Sequence, residues 1–294
     1  MINKITKDRI AALTEQYQRL VKSKPEAIRE IAIAEIPEMV YNSNAIENST
    51  LTLKDTEDIL LRNSIKKDHD IREIYEAKNL AKITVILLDN PDKLINDVSI
   101  LELHKLLLAG IKDEWAGRFR SGKEWVRIGA HVGANPDFVE QLVKELIANY
   151  NKPGDDYFLD KIAWFHAEFE TIHPFNDGNG RLGRVLINQQ LMMLGLPPVI
   201  IQNKSKHTSY YPAFDSYRVT NKFDEFTELL ASLLIESLYK RITLLSAPRI
   251  ITVSAWAKAN GLAGNAAINK AIRGTLPAFR MRDKWMIAAE FKKY

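Results

Sequence analysis

Apolar residues recur at helical spacing through most of the chain. Between Asp8 and Lys22, the residues Ile10, Leu13, Tyr17, Leu20 and Val21 lie on one face of a 3.6-residue period. The same spacing predicts helices over Ile71–Asp89, Leu101–Ile111, Asp137–Asn149, Asp160–Glu170, Leu182–Leu194 and Asp224–Leu245. Pro153-Gly154 and Gly195-Leu196-Pro197-Pro198 interrupt the pattern as breakers. RFRSGKEWVRIG, Arg118–Gly129, reads differently: a Ser-Gly turn signal beside Trp125, Val126 and Ile128 predicts a short β-hairpin. The body is thus expected to be mainly α, with one small β element. From Ala247 the pattern changes again. AWAKANGL predicts a short helix ending at Gly261, and NAAINKAIRG a second ending at Gly274. TLPAFRMRDKWMIAAEF predicts a strand, a turn at Arg282–Lys284 and another strand. Helix, turn, helix and hairpin in that order is a winged-helix-like arrangement.

Composition narrows the class. With 46% hydrophobic and 27% charged residues, the 294-residue chain has the make-up of a folded globular protein. No apolar run approaches the ~20 residues that span a bilayer, so no membrane contact is expected. The opening MINKITKDRIAAL reads as an amphipathic helix rather than a signal peptide, which predicts a cytoplasmic location. The absence of cysteine excludes disulfides, a thiol nucleophile and cysteine-ligated zinc. The net charge of +4 is unevenly placed: residues 247–294 hold nine Lys and Arg against two acids, so the rest is slightly acidic.

One stretch concentrates chemistry. HPFNDGNGRLGR, His173–Arg184, combines a histidine, a carboxylate, glycines, asparagines and two arginines. Pro174 disfavours α geometry at His173, so the preceding helix is expected to end there. Asn176–Gly180 then reads as a tight loop and Arg181 as the start of a new helix. A loop at a helix N-terminus presents free N–H groups and the positive end of the dipole to an anion. Arg181 and Arg184, three apart, can face that anion. Asp177 can hold Mg²⁺ shared with phosphate oxygens, and His173 can serve as a general base. Taken one at a time, these features are also ordinary turn and surface features. The stretch is not a P-loop, because it lacks the Gly-Lys-Ser/Thr ending. His166, Glu170 and His173 share a helix face, but a di-iron bundle needs a second Glu-x-x-His, and the chain has none.

HPFNDGNGRLGR resembles the Fic family signature, His-x-Phe-x-Asp/Glu-Gly-Asn-Gly-Arg-x-x-Arg, at every defined position. The resemblance implies a Fic-type helical domain that moves AMP from ATP to a Ser, Thr or Tyr hydroxyl of a target protein, with self-modification expected. It implies His173 as the base, Phe175 as a core anchor and Asp177 as the Mg²⁺ ligand. Gly178, Asn179 and Gly180 would form the anion hole, Arg181 would hold phosphate and Arg184 the γ-phosphate. The hairpin would be the flap that takes a target segment by strand addition. Ile128, Gly129, Ala130 and His131 would lie near the nucleotide, as would Tyr210 and Tyr211. Many members dimerise, which leaves a homodimer open.

SNAIEN, Ser43–Asn48, has two readings. Asn44 to Glu47 fits a helix capping box. Ser43, Glu47 and Asn48 also match the family's inhibitory motif, which implies that Glu47 pairs with Arg184 and blocks its grip on the γ-phosphate. The basic tail resembles excisionase-like helix-turn-helix domains, implying DNA contact through Asn265, Asn269, Lys270 and Arg273. The resulting expectation is an autoinhibited adenylyltransferase using ATP and Mg²⁺. It has a helical region over 1–95 with the inhibitory helix, a catalytic core over 96–246 and a winged-helix-like module over 247–294. Transfer of another group, removal of AMP, and a nucleotide-sensing DNA-binding regulator remain as alternatives.

Overall fold

Capping side chains fix where most of the early helices begin. The structure, a computed structural model, describes residues 2–65, 68–129 and 131–292. Asn3 accepts from Thr6 N–H (2.9 Å) ahead of α1, Lys4–Ser23. Pro25 opens α2, Pro25–Ile46, at a position whose N–H has no helical partner anyway. Thr52 and Asp55 form a capping box at α3, Leu53–Arg62. Asp70 caps α4, Ile71–Asp89, and Asn96 with Ser99 caps α5, Asp97–Leu108. That last box is why α5 starts before Leu101, where periodicity alone places it. Two short strands follow, β1 at Arg127–Ile128 and β2 at His131–Val132. Then come α6 (Val139–Tyr150), α7 (Phe158–Ile172), α8 (Asn179–Met193), α9 (Tyr211–Thr220) and α10 (Asp224–Ser246). The chain ends with β3 (Ile250–Thr252), α11 (Val253–Ala259), α12 (Gly264–Ile272), β4 (Phe279–Met281) and β5 (Lys284–Ala288).

The mainly α class holds, but two local expectations need correcting. The hairpin does not form around Ser121-Gly122. That turn is gripped by Glu124, which accepts from Ser121 N–H (2.8 Å) and from both Nη atoms of Arg118 (2.8 and 2.6 Å). The strands lie later, pairing Ile128 with His131 across a turn that begins at Gly129, whose φ is +58°. Helix α2 also escapes the periodic pattern. It carries Pro37 mid-helix and buries Ala32, Ile36, Val40 and the run Asn42–Ile46, so no single apolar stripe marks it.

The chain divides into two compact units. One comprises Glu35–Gly195 and Ile200–Thr227; the other comprises the chain up to Ala34, Leu196–Val199 and the chain from Glu228 onward. In the first, α4 packs on α5 and α7 on α8, around buried Ile83, Leu103, Leu107, Phe165, Phe169 and Leu186. In the second, α11, α12 and a sheet of order β3-β5-β4 enclose Trp256, Ala267, Ala271, Leu276 and Ile287. Arg280 forks onto Glu236 (2.6–3.0 Å), and Arg9 of α1 donates to Gly274 O (2.6 Å), tying both ends of the chain into this unit. Strand β3, unmarked in the hydrophobic pattern, pairs with β5. Asn265, Asn269 and Arg273 are exposed and Lys270 is half-buried. Among the described residues, no helix is long and apolar enough to cross a membrane.

Candidate active site

Helix α7 ends at Ile172, two residues before Pro174, and His173 adopts φ 52°, ψ 65°, the left-handed region. A residue before proline normally favours extended backbone, and a non-glycine left-handed residue costs about 1–3 kcal/mol. Arg120, only 1% exposed, offsets this. Its guanidinium donates to His173 O (2.7 Å), Ile172 O (2.9 Å) and Ala134 O (2.5 Å), and its own N–H donates to Pro174 O (3.0 Å). It satisfies carbonyls that a helix C-terminus leaves unpaired and puts a cation at the negative end of the dipole. Arg120→Ala would strand those buried carbonyls at a cost of at least ~3 kcal/mol. In thermal melts it should lower Tm by roughly 6–12 °C. Arg120→Lys, which cannot fork, should recover only part of the loss.

The loop after His173 is held from three sides. Phe175 is fully buried and stacks on His104 with centroids 3.6 Å apart. His104 accepts from Gly117 N–H at Nδ1 (3.1 Å) and donates from Nε2 to Asp177 O (3.1 Å). That pattern needs a neutral ring, and burial pushes the His104 pKa down to about 4. Asn179 accepts from Phe175 N–H (2.9 Å) and donates to Phe175 O (2.8 Å). Its side chain is spent on the loop, leaving its backbone N–H for a ligand. Gly178, at φ 82°, is the N-cap of α8 and supplies no side-chain cap. The helix begins at Asn179 rather than near Arg181, so Asn179 and Gly180 belong to its first turn. The first α8 hydrogen bond is Leu182 N–H to Gly178 O (2.9 Å). The N–H groups of Asn179, Gly180 and Arg181 therefore precede the ladder, as an anion cradle requires.

The two arginines of the stretch have different partners. Arg181 pairs with Asp177 (2.7 Å) and with Glu76 (2.7 Å). Arg184 donates from Nε to Ser43 Oγ (2.9 Å), and from Nη2 to Ser43 O (2.8 Å) and Glu47 Oε1 (2.8 Å). Burial opposes the Arg184 charge, but Tyr210 and Glu47 outweigh it and raise its pKa above the ordinary value. Asn44 sits in the last turn of α2, so the capping-box reading of SNAIEN fails. Asn48 turns the chain at φ 69°, and its side-chain oxygen accepts from Lys206 Nζ (3.0 Å). Tyr211 OH donates to Ile46 O (2.9 Å), and Tyr210 OH bonds His166 Nε2 (2.9 Å). The paired tyrosines thus brace the end of α2 and the core behind Arg184.

A cavity of about 720 Å³ gathers these groups. His173, Gly180, Arg184 and Glu47 line it, as do Ile128, Gly129 and His131 of the hairpin, and Tyr210 and Tyr211. Ala130 lies outside the described residues. His131 donates from Nε2 to Thr171 O (3.0 Å), and burial lowers its pKa. Sequence reasoning missed Glu170 as a partner of the histidine: its Oε2 lies 3.5 Å from His173 Nδ1. Burial opposes its charge, yet His173, His166 and Arg184 together hold its pKa below the usual range. The i, i+3 spacing was the available signal. Arg72, Glu76 and Arg120 carried no local signal at all.

Among the described residues, no three His, Asp or Glu side chains cluster as a metal group. A Mg²⁺ ion beside a polyphosphate needs only one or two carboxylates. Asp177 is a carboxylate of that kind just ahead of α8; its oxygens face Arg181 and Arg72, and it is not among the residues that line the cavity.

Residues 95–191 match the Fic/DOC family. The chain is 32% identical over 193 residues to a protein adenylyltransferase Fic of Aedes aegypti, covering 63% of this chain and 37% of that one. A Nematostella vectensis protein of the same name is 34% identical over 182 residues, covering 58% and 41%. The chain thus spans about two-fifths of the length of these relatives. In fold, it is similar to a Fic-domain signalling protein from Bacteroides thetaiotaomicron (TM-score 0.72, 24% identity, 80% of this chain and 96% of that one). It is also similar to a Fic family protein from Desulfovibrio desulfuricans (TM-score 0.67, 21% identity, 100% and 98%). Signature, geometry and family match converge on one stretch: residues 95–191, which hold HPFNDGNGRLGR, match the Fic/DOC family.

Proposed function

We propose that this chain transfers AMP from ATP to a hydroxyl of a target protein, itself included, and that Glu47 restrains the reaction. The observation that carries the reading is one cavity holding His173, the open N-terminus of α8, and Arg184 with Glu47 on its guanidinium. The name adenylyltransferase carried by the Aedes aegypti and Nematostella vectensis relatives supports it.

In this reading the target hydroxyl oxygen attacks the α-phosphorus. His173 Nε2 takes the hydroxyl proton, the bond from α-phosphorus to the bridging oxygen breaks, and pyrophosphate leaves. The α8 N–H groups stabilise the charge that builds on the phosphate oxygens. Arg181 and Arg184 hold the leaving phosphates. Glu170, 3.5 Å from Nδ1, would favour the tautomer protonated there, which leaves Nε2 free to accept. Asp177 would hold Mg²⁺, which when bound neutralises phosphate charge. The hairpin edge would align the target segment by strand addition.

The test uses the Glu47→Gly variant with ATP labelled on either the α- or the γ-phosphorus. Label from the α position alone is expected on the protein. Label from the γ position would replace this reading with phosphate transfer, and no label from either would remove the transferase assignment.

A further inference from the structure

Helix α4 lies outside residues 95–191, yet its first turns reach the signature. Arg72 donates from Nη2 to Asp177 Oδ2 (2.5 Å) and from Nε to Glu76 Oε1 (2.9 Å). Glu76 Oε1 lies 2.7 Å from Arg181 Nη1, and Arg181 Nη2 donates to Asp177 Oδ1 (2.7 Å). Two guanidiniums and two carboxylates thus close a ring with no net charge. The ring takes in both the carboxylate and the first arginine of HPFNDGNGRLGR. Next to it, Glu73 accepts from Thr50 N–H (2.6 Å) and Oγ1 (2.7 Å), so the same turn of α4 also grips the segment that follows Glu47.

We infer that Arg72 is a resident cation on Asp177, one that a divalent metal must displace. The inference rests on the reading above that Asp177 is the metal-holding carboxylate. A guanidinium and a divalent ion on one carboxylate oxygen repel each other, and a small hard ion demands close oxygen contacts that the guanidinium obstructs. The ring has one weak member. The Arg72 side chain is 45% exposed and can swing into water, whereas Glu76 is 10% and Arg181 3% exposed. Opening therefore happens at Arg72, while Glu76 keeps Arg181 in place. Once Arg72 has left, Asp177, Glu76 and Arg181 carry one net negative charge, which attracts the metal. The protein thus keeps its metal carboxylate neutralised until metal arrives, by a contact separate from that between Glu47 and Arg184.

The test needs no turnover. Mn²⁺ is titrated into the full chain without nucleotide, and binding is read from the electron paramagnetic resonance signal of the free ion. Arg72→Ala is expected to tighten Mn²⁺ binding about five-fold, the upper range for a half-exposed ion pair. Arg72→Gln, which keeps most of the side chain's bulk without the charge, should tighten it similarly. Binding that depends on Asp177 but is unchanged in both Arg72 variants would overturn the inference. Binding that survives Asp177→Ala unchanged would instead sink the metal role of Asp177, on which it rests.

Discussion

His173→Ala, made together with Glu47→Gly, is expected to lower AMP transfer by about 10³-fold relative to Glu47→Gly alone, with ATP affinity unchanged. The backbone makes the two effects separable. Arg120, Phe175 and Asn179 hold the loop through main-chain and ring contacts, none of which uses the His173 imidazole. Removing the ring therefore leaves the cradle of α8 N–H groups where it is. In the proposed reaction ATP would be held by those groups and the arginines and would lose no contact. Only the acceptor for the hydroxyl proton is lost, and an interaction used in the transition state alone appears in kcat rather than in binding. The measurement pairs the rate of label incorporation from α-labelled ATP with ATP affinity by calorimetry. Retained transfer would end the assignment of His173 as base. A parallel loss of ATP affinity would mean that the histidine acts on the ground state instead.

Glu47→Gly is expected to raise self-labelling by about 10²-fold over the unmodified chain, a gain typical of correcting a small misplacement of reacting atoms. Two features of the contact set the direction. The carboxylate accepts from Arg184 Nη2, which occupies a donor that a terminal phosphate would use. It also lies directly against α8: a Cβ built on Gly180 would overlap Glu47 Oε1. In the proposed reaction Glu47 would compete with phosphate in both charge and space at the mouth of the cradle. Its removal does not release Arg184, because Ser43 still accepts through Oγ and O. The side chain is 39% exposed, so the pair contributes no more than about 1 kcal/mol and thermal stability should hold. Glu47→Gln separates the two effects. Activity near that of Glu47→Gly would assign the restraint to charge, and activity near that of the unmodified chain would assign it to space. Equal labelling of the glycine variant and the unmodified chain would discard Glu47 as a restraint.

The sequence by itself determined what short-range physics controls. Periodicity placed amphipathic helices such as α1 and α6, because one buried face repeats every 3.6 residues. Pro174 and the glycines around Asp177 located the end of α7, the loop and the open start of α8, because backbone angles are set residue by residue. HPFNDGNGRLGR was legible for the same reason: its groups are neighbours along the chain. Where packing overrode local signal, the sequence was silent or misleading. Helix α2 is buried on several faces, so no stripe marked it. The hairpin lies at Gly129 rather than at Ser121-Gly122, where Glu124 accepts from the Ser121 N–H.

Only the tertiary structure decided which charges meet. Arg184 finds Glu47 across 137 positions, Arg72 finds Asp177 across 105, and Arg120 finds the carbonyl of His173 across 53. An arginine in a sequence carries the same donors wherever it stands. Which carbonyl or carboxylate satisfies them depends on the path of the folded chain.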